Sequence, residues 1–167
     1  MGIFRSVLDK ILESFCCALL VFMTCTATWQ VVSRYVLNNP STVTEELTLM
    51  SFVWTGVLAA AYVFGQQKHM QMTFLLDKFS ESGQIKIKLL IEVIIFIFAA
   101  LILVFGGMKI SHLAMGQTSS SLKIPMGYIY FALPLSGILT CIYSILNFVD
   151  MAKILLISKD KDMSKSI

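Results

Sequence analysis

Charge is scarce in this chain. Asp, Glu, Lys and Arg make up 14% of its 167 residues, and hydrophobic residues make up 57%. A soluble domain of this length carries about 25% charged and 45–50% apolar residues. The shortage excludes a disordered tail, a nucleic-acid module and a soluble enzyme as starting points. Proline is nearly missing, with three in all, and no Pro-rich linker, internal repeat or low-complexity tract divides the chain. The four cysteines, Cys16, Cys17, Cys25 and Cys141, make no C-x-x-C pair and all fall inside apolar runs. A zinc site or structural disulfide therefore has no basis, and buried, inert thiols are expected. There is no P-loop, no zinc motif and no nucleophile–base pair. No enzyme chemistry and no cofactor are expected.

What fills the sequence instead is four long apolar runs. Ser14–Ser33 and Leu47–Gln67 hold 20 and 21 residues without a charge, Leu89–Met108 holds 20 with Glu92 alone, and Ile124–Val149 holds 26. A helix needs roughly 20 apolar residues to cross a ~30 Å hydrocarbon core, so all four qualify as spans. Four fully buried helices in a soluble protein of this length would leave almost nothing to cover them. The fold class expected is an all-α integral membrane protein with four transmembrane helices at about 14–36, 47–67, 89–108 and 124–149. These form a single membrane domain, 1–157, followed by a frayed cytoplasmic tail, 158–167.

Ten of the 13 Lys and Arg lie before the first span, between the second and third, or after the fourth. Only Arg34, Lys109 and Lys123 lie on the other side. This asymmetry places both termini and the middle connection in the cytoplasm, N-in and C-in. It also accounts for the net charge of +3 without a nucleic-acid partner, through contact with anionic lipid. The first run is too long for a cleavable signal and reads as a signal anchor. His69 and His112 fall outside the runs and on opposite sides, so they cannot jointly hold a haem.

Ahead of the first run, Ile3, Phe4, Val7, Leu8, Ile11 and Leu12 recur at helical spacing, with Arg5, Ser6, Asp9, Lys10 and Glu13 opposite. This predicts an amphipathic interfacial helix over 3–13 that turns into the first span. A shorter candidate for dipping into the inner leaflet lies at 72–79. Within the spans, polar residues form stripes: Thr26, Gln30, Ser33 and Arg34 in the first; Thr48, Ser51, Thr55, Tyr62 and Gln66 in the second; Ser136, Thr140, Tyr143, Ser144 and Asn147 in the fourth. Lipid cannot hydrogen-bond these groups, so they should face helices, either within the bundle or in a partner membrane protein. Gly56-x-x-x-Ala60 would permit close backbone approach. Thr42 to Glu45 fits a capping box opening the second span. Arg34 is placed to pair with Glu45 or Glu46, and Glu92, one turn after Lys88, to pair or snorkel. Pro125 and Pro134 would flank or kink the fourth span.

An ordered set of residues carries a family resemblance. It comprises Arg34, Tyr35 and Asn38; Glu45, Glu46 and Leu47; Trp54 and Gly56; His69; Gly116, Gln117, Ser119 and Leu122; Ile124, Pro125 and Met126; Tyr130 and Pro134. In order and in placement relative to four spans, over roughly 15–150, the chain resembles the small (Q) membrane subunit of tripartite ATP-independent periplasmic (TRAP) transporters. Val43 and Tyr128 stand where or near where that family often has Trp, and Ser120 where it often has Pro. The resemblance implies a scaffold in the bacterial inner membrane for a large elevator-type subunit. That subunit would carry out sodium-coupled import of an organic acid, a sialic acid or C4-dicarboxylate, delivered by a periplasmic binding protein. It implies that Arg34, Glu45 and Glu46 organise the outer face, and that Gln30, Ser51, Trp54, Thr55 and Tyr62 are candidates for the large-subunit interface. His69 would mark the inner membrane boundary. A standalone four-helix transporter or exporter and the membrane anchor of a redox enzyme are the alternatives.

Overall fold

The computed structural model describes residues 2–66 and 81–164. His69 and the 72–79 segment lie outside the described residues. Helices dominate: α1 Gly2–Tyr35, α2 Thr42–Gly65, α3 Glu81–Phe98, a π-helical stretch Ala99–Gly106, α4 Gly107–Ala114, the short α5 Gly127–Tyr130 and α6 Ala132–Ser164. Four stretches are long and apolar enough to cross a membrane: Arg5–Tyr35, Thr42–Gly65, Ile87–Ala114 and Gly127–Lys153. The four expected spans are therefore present, with ends that differ from the sequence reading.

Those differences have local causes. α1 stays helical through Glu13 and Ser14, so the expected turn between an interfacial helix and the first span is absent. At about 1.5 Å per residue, 34 residues extend about 51 Å, well beyond a ~30 Å core. α2 opens earlier than its apolar run because Ser41 is the N-cap, with extended backbone and a side chain that accepts from the Thr44 amide. The cap thus lies one residue before the expected Thr42 box. Pro134 stands in the first turn of α6, where a missing N–H costs little, so it starts that helix. α6 itself runs on to Ser164, through most of the tail expected to fray.

In space the long helices form a row, α1 beside α2, α2 beside α6, and α6 beside α3 with its π-helical continuation. α6 is the most deeply packed of the spans and α1 the least. Close approach occurs where glycine removes a side chain. A Cβ at Gly137 would lie 2.7 Å from Leu103 Cβ, and one at Gly107 would lie 2.9 Å from Pro134 Cδ, which seats the wide π-helical turns against α6. Gly56, by contrast, has nothing within 4 Å of its would-be Cβ, so the Gly56-x-x-x-Ala60 strip faces away from the other helices. Cys17 and Cys25 are exposed on α1, with Cys16 and Cys141 half-buried. The expectation of buried thiols is corrected there: the row leaves one face of α1 uncovered.

Candidate functional site

Polar chemistry gathers at three places, two at the ends of the row and one inside it. The first is the end where α1 stops and α2 starts. Here residues 115–126 fold back into a small hairpin, closed by an antiparallel bridge between Thr118 and Pro125. The Ser119 amide donates to the Ile124 carbonyl at 2.9 Å, and the Met126 amide to the Gln117 carbonyl at 2.8 Å. Lys123 takes a positive φ of 57°, the left-handed conformation that lets the chain reverse tightly. Glu46, in the second turn of α2, reaches under this hairpin. Its carboxylate accepts from the Ser121 and Leu122 amides, each at 2.9 Å, and from the Ser119 hydroxyl. Ser111 adds a bond from α4 to the Gly127 carbonyl at 2.8 Å.

This arrangement replaces the ion pair expected for Arg34. Among the described residues no ion pair joins Arg34 to Glu45 or Glu46. Arg34 is exposed, with its guanidinium 6.0 Å from the Tyr35 ring centroid. The acceptor that was assigned to an arginine is filled by backbone amides, because the hairpin brings two consecutive N–H groups to one carboxylate. Glu45 is exposed beside it. The turn after α1 is closed by Ser33, whose hydroxyl donates to the Asn39 carbonyl.

At the opposite end, the first turns of α1 are fastened to two other helices. Arg5 donates to the Gly65 carbonyl at 2.5 Å, at the last residue of α2, and pairs with Asp150 of α6 at 3.6 Å. One turn on, Asp9 accepts from the Tyr143 hydroxyl at 2.5 Å, and the Tyr143 side chain is 1% exposed. Arg5 and Asp9 of the polar face therefore turn into the protein, Lys10 and Glu13 stay exposed, and Val7 and Ile11 turn outward. The sequence showed this stretch to be amphipathic but not what its polar face meets. Tyr143, in the polar stripe of the fourth span, was the available signal.

The third place lies between α3 and α6. Glu92 is 7% exposed. Ser144 donates to its backbone carbonyl at 2.8 Å and to its Oε2 at 3.0 Å, and Asn147 donates to its Oε1 at 3.1 Å. Glu92 turns into the row, and the snorkelling expectation is corrected. The reason is that the stripe on α6 offers it two donors at i, i+3 spacing.

The remaining candidate residues are placed as follows. Ser51 is buried and donates to the Leu47 carbonyl at 2.8 Å, so this chain already covers it. Thr55 is half-buried and donates to the Ser51 carbonyl at 2.7 Å. Gln30 and Trp54 are half-buried. Tyr62, half-buried, accepts from the Gln66 amide. Thr48 bridges to Thr26 of α1 at 3.0 Å. Among the described residues, no three His, Cys, Asp or Glu converge as a metal site.

Fold and contacts together define a multi-pass helical membrane protein whose buried polar groups fasten one helix to another. The model of the family "Tripartite ATP-independent periplasmic transporters, DctQ component" matches residues 23–153. The chain is 30% identical to a TRAP transporter small permease protein of Haemophilus influenzae over 132 residues, 79% of this chain and 81% of that protein. It is 24% identical to the sialic acid TRAP transporter small permease protein SiaQ of Vibrio cholerae over 152 residues, 91% of this chain and 87% of that one. The chain belongs to the DctQ family: it is a small permease subunit of a TRAP transporter. The matched range contains the Glu46 clamp and the Glu92 cluster, while Arg5 and Asp9 precede it.

Proposed function

We propose that this chain is the static frame of a TRAP importer in the bacterial inner membrane, with both termini cytoplasmic. It holds a large elevator-type membrane subunit in place while that subunit moves an organic acid with sodium. A periplasmic binding protein delivers the acid, of the sialic acid or C4-dicarboxylate class; the sialic acid relative of Vibrio cholerae favours the former. In this orientation the Glu46 hairpin faces the periplasm, and Arg5 and Asp9 face the cytoplasm. The long first turns of α1 lie at the cytoplasmic boundary, with their apolar face toward lipid. Arg34 and Glu45, exposed beside the hairpin, are the groups available to partners at the outer face. Gln30, Trp54, Thr55 and Tyr62 flank the α1–α2 surface offered to the large subunit.

The observation that carries this reading is where the buried polar side chains point. Tyr143, Ser144, Asn147, Glu92 and Ser119 all bond across helices or loops of this chain. Such bonds stiffen a bundle, and an elevator needs a rigid body to move against. The test is reconstitution. Co-expressed with the large subunit, this chain should co-purify, and uptake of radiolabelled acid should need both chains, the binding protein and an inward sodium gradient. Uptake at full rate by this chain alone in proteoliposomes would overturn the proposal.

A further inference from the structure

Two grooves meet along the first turns of α1. One, of about 400 Å³, lies between α1 and α2 and is walled by Arg5, Asp9, Lys10, Glu13, Tyr62 and Gln66. The other, of about 490 Å³, follows Val7, Ile11, Phe15 and Ala18 and shares Lys10 as a common wall. The first carries both signs of charge. The second is apolar and open, with Val7 53%, Ile11 60% and Phe15 48% exposed. Arg5 and Asp9 are engaged within the chain. Lys10 and Glu13 are exposed, and neither side chain makes a hydrogen bond or ion pair with a described residue.

We propose that the two grooves bind one zwitterionic phospholipid, a phosphatidylethanolamine, with its phosphodiester at Lys10, its ammonium at Glu13 and an acyl chain along Val7, Ile11, Phe15 and Ala18. The charges select the headgroup. A glycerol headgroup places the same phosphodiester at Lys10 but offers Glu13 neutral hydroxyls in place of an ammonium, so the charge pair at Glu13 is lost. A choline headgroup has no N–H to donate to a carboxylate. Lys10 and Glu13, three apart, are neighbours on the helix surface. Helical side chains lean toward the N-terminus, so Glu13 reaches back toward the level of Lys10. The length fits as well. From Val7 to Ala18 the helix rises about 16 Å, close to half of a ~30 Å hydrocarbon core. The site lies ahead of the stretch matched by the family model, 23–153. It rests on that helix lying at the membrane boundary, not on the transport role.

The test is native mass spectrometry of the full chain after exchange into equimolar phosphatidylethanolamine, phosphatidylcholine and phosphatidylglycerol with matched acyl chains. The first should be retained over the other two by about fivefold, the scale of one exposed charge pair. Glu13→Gln should abolish the preference over phosphatidylglycerol, and Lys10→Gln should lower retention of all three. Both side chains are exposed, and unchanged far-UV circular dichroism would show the variants folded. Tail-less glycerophosphoethanolamine at the same concentration should displace nothing. Phosphatidylglycerol held as well as phosphatidylethanolamine, a preference that survives Glu13→Gln, retention indifferent to Lys10→Gln, or displacement by the tail-less headgroup would each overturn the proposal.

Discussion

Replacing Gly65 with alanine tests the tightest helix crossing in the row. A Cβ at that position would lie 2.5 Å from two carbons of the Tyr143 ring and 2.7 Å from a third. The ring is 1% exposed and its hydroxyl is held by Asp9, so it cannot swing aside without losing that bond. Moving α2 away instead strains the Arg5 bond to the Gly65 carbonyl. Overpacking costs about 1–3 kcal/mol, and a clash with a ring fixed at both ends belongs near the top of that range. Alanine recovers at most about 1 kcal/mol through helix propensity. Gly65→Ala should therefore lose about 2 kcal/mol. Gly56→Ala is the internal control, since nothing lies within 4 Å of its Cβ; it should be neutral or gain up to about 1 kcal/mol. Unfolding of both variants by sodium dodecyl sulfate titration in mixed micelles, followed by circular dichroism, measures the difference. If the two variants unfold together, α2 and α6 do not cross at Gly65 as described.

Glu46→Gln keeps the shape of the side chain but weakens its hold on the hairpin. Amide exchange at Ser121 and Leu122 should rise several-fold, an increase Glu45→Gln should not reproduce; equal protection in both would remove the clamp. Arg34→Ala should leave stability within about 0.5 kcal/mol, as for an exposed residue whose contact with the Tyr35 ring is itself exposed. Any loss of uptake or assembly in that variant then reports a contact with a partner, and unchanged uptake and assembly would remove Arg34 from the outer interface.

The four spans were legible because hydrophobic length is a property of consecutive residues, and a bilayer sets that length. What each polar group meets was not, because periodicity gives the face of a helix but not its neighbour. Glu46 shows the limit. Its place at the start of α2 was plain, yet its partners are 73–76 positions away, and the nearer Arg34 was the natural choice. Asp9 belongs to the polar face of the expected interfacial helix, and it accepts from Tyr143, 134 positions on. Glu92 was the clearest signal left unused. A lone carboxylate in an apolar run needs donors, and Ser144 and Asn147, three apart in the polar stripe of the fourth span, are the matching pair. The same bonds bear on whether these polar residues face helices of the bundle or of a partner membrane protein. Tyr143, Ser144 and Asn147 of the fourth span are taken up within the chain.

That stripe also explains why α6 is the spine of the row. Tyr143 and Ser144 are consecutive, about 100° apart around the helix, so they serve different neighbours. Tyr143 holds Asp9 of α1, while Ser144 and Asn147 hold Glu92 of α3. The two fastenings should act independently, because α2, against which α1 packs, and α3 are separate neighbours of α6. Double-mutant cycles put numbers on this. Tyr143→Phe with Asp9→Asn, and Asn147→Ala with Glu92→Gln, should each show coupling of about 0.6–2 kcal/mol, the range for hydrogen bonds between helices in membranes. Tyr143→Phe with Glu92→Gln should be additive to within about 0.5 kcal/mol. Strong coupling across that last pair would mean that the helices move as one interlocked unit, and the row of separately fastened neighbours would be the wrong description of how this frame holds its shape.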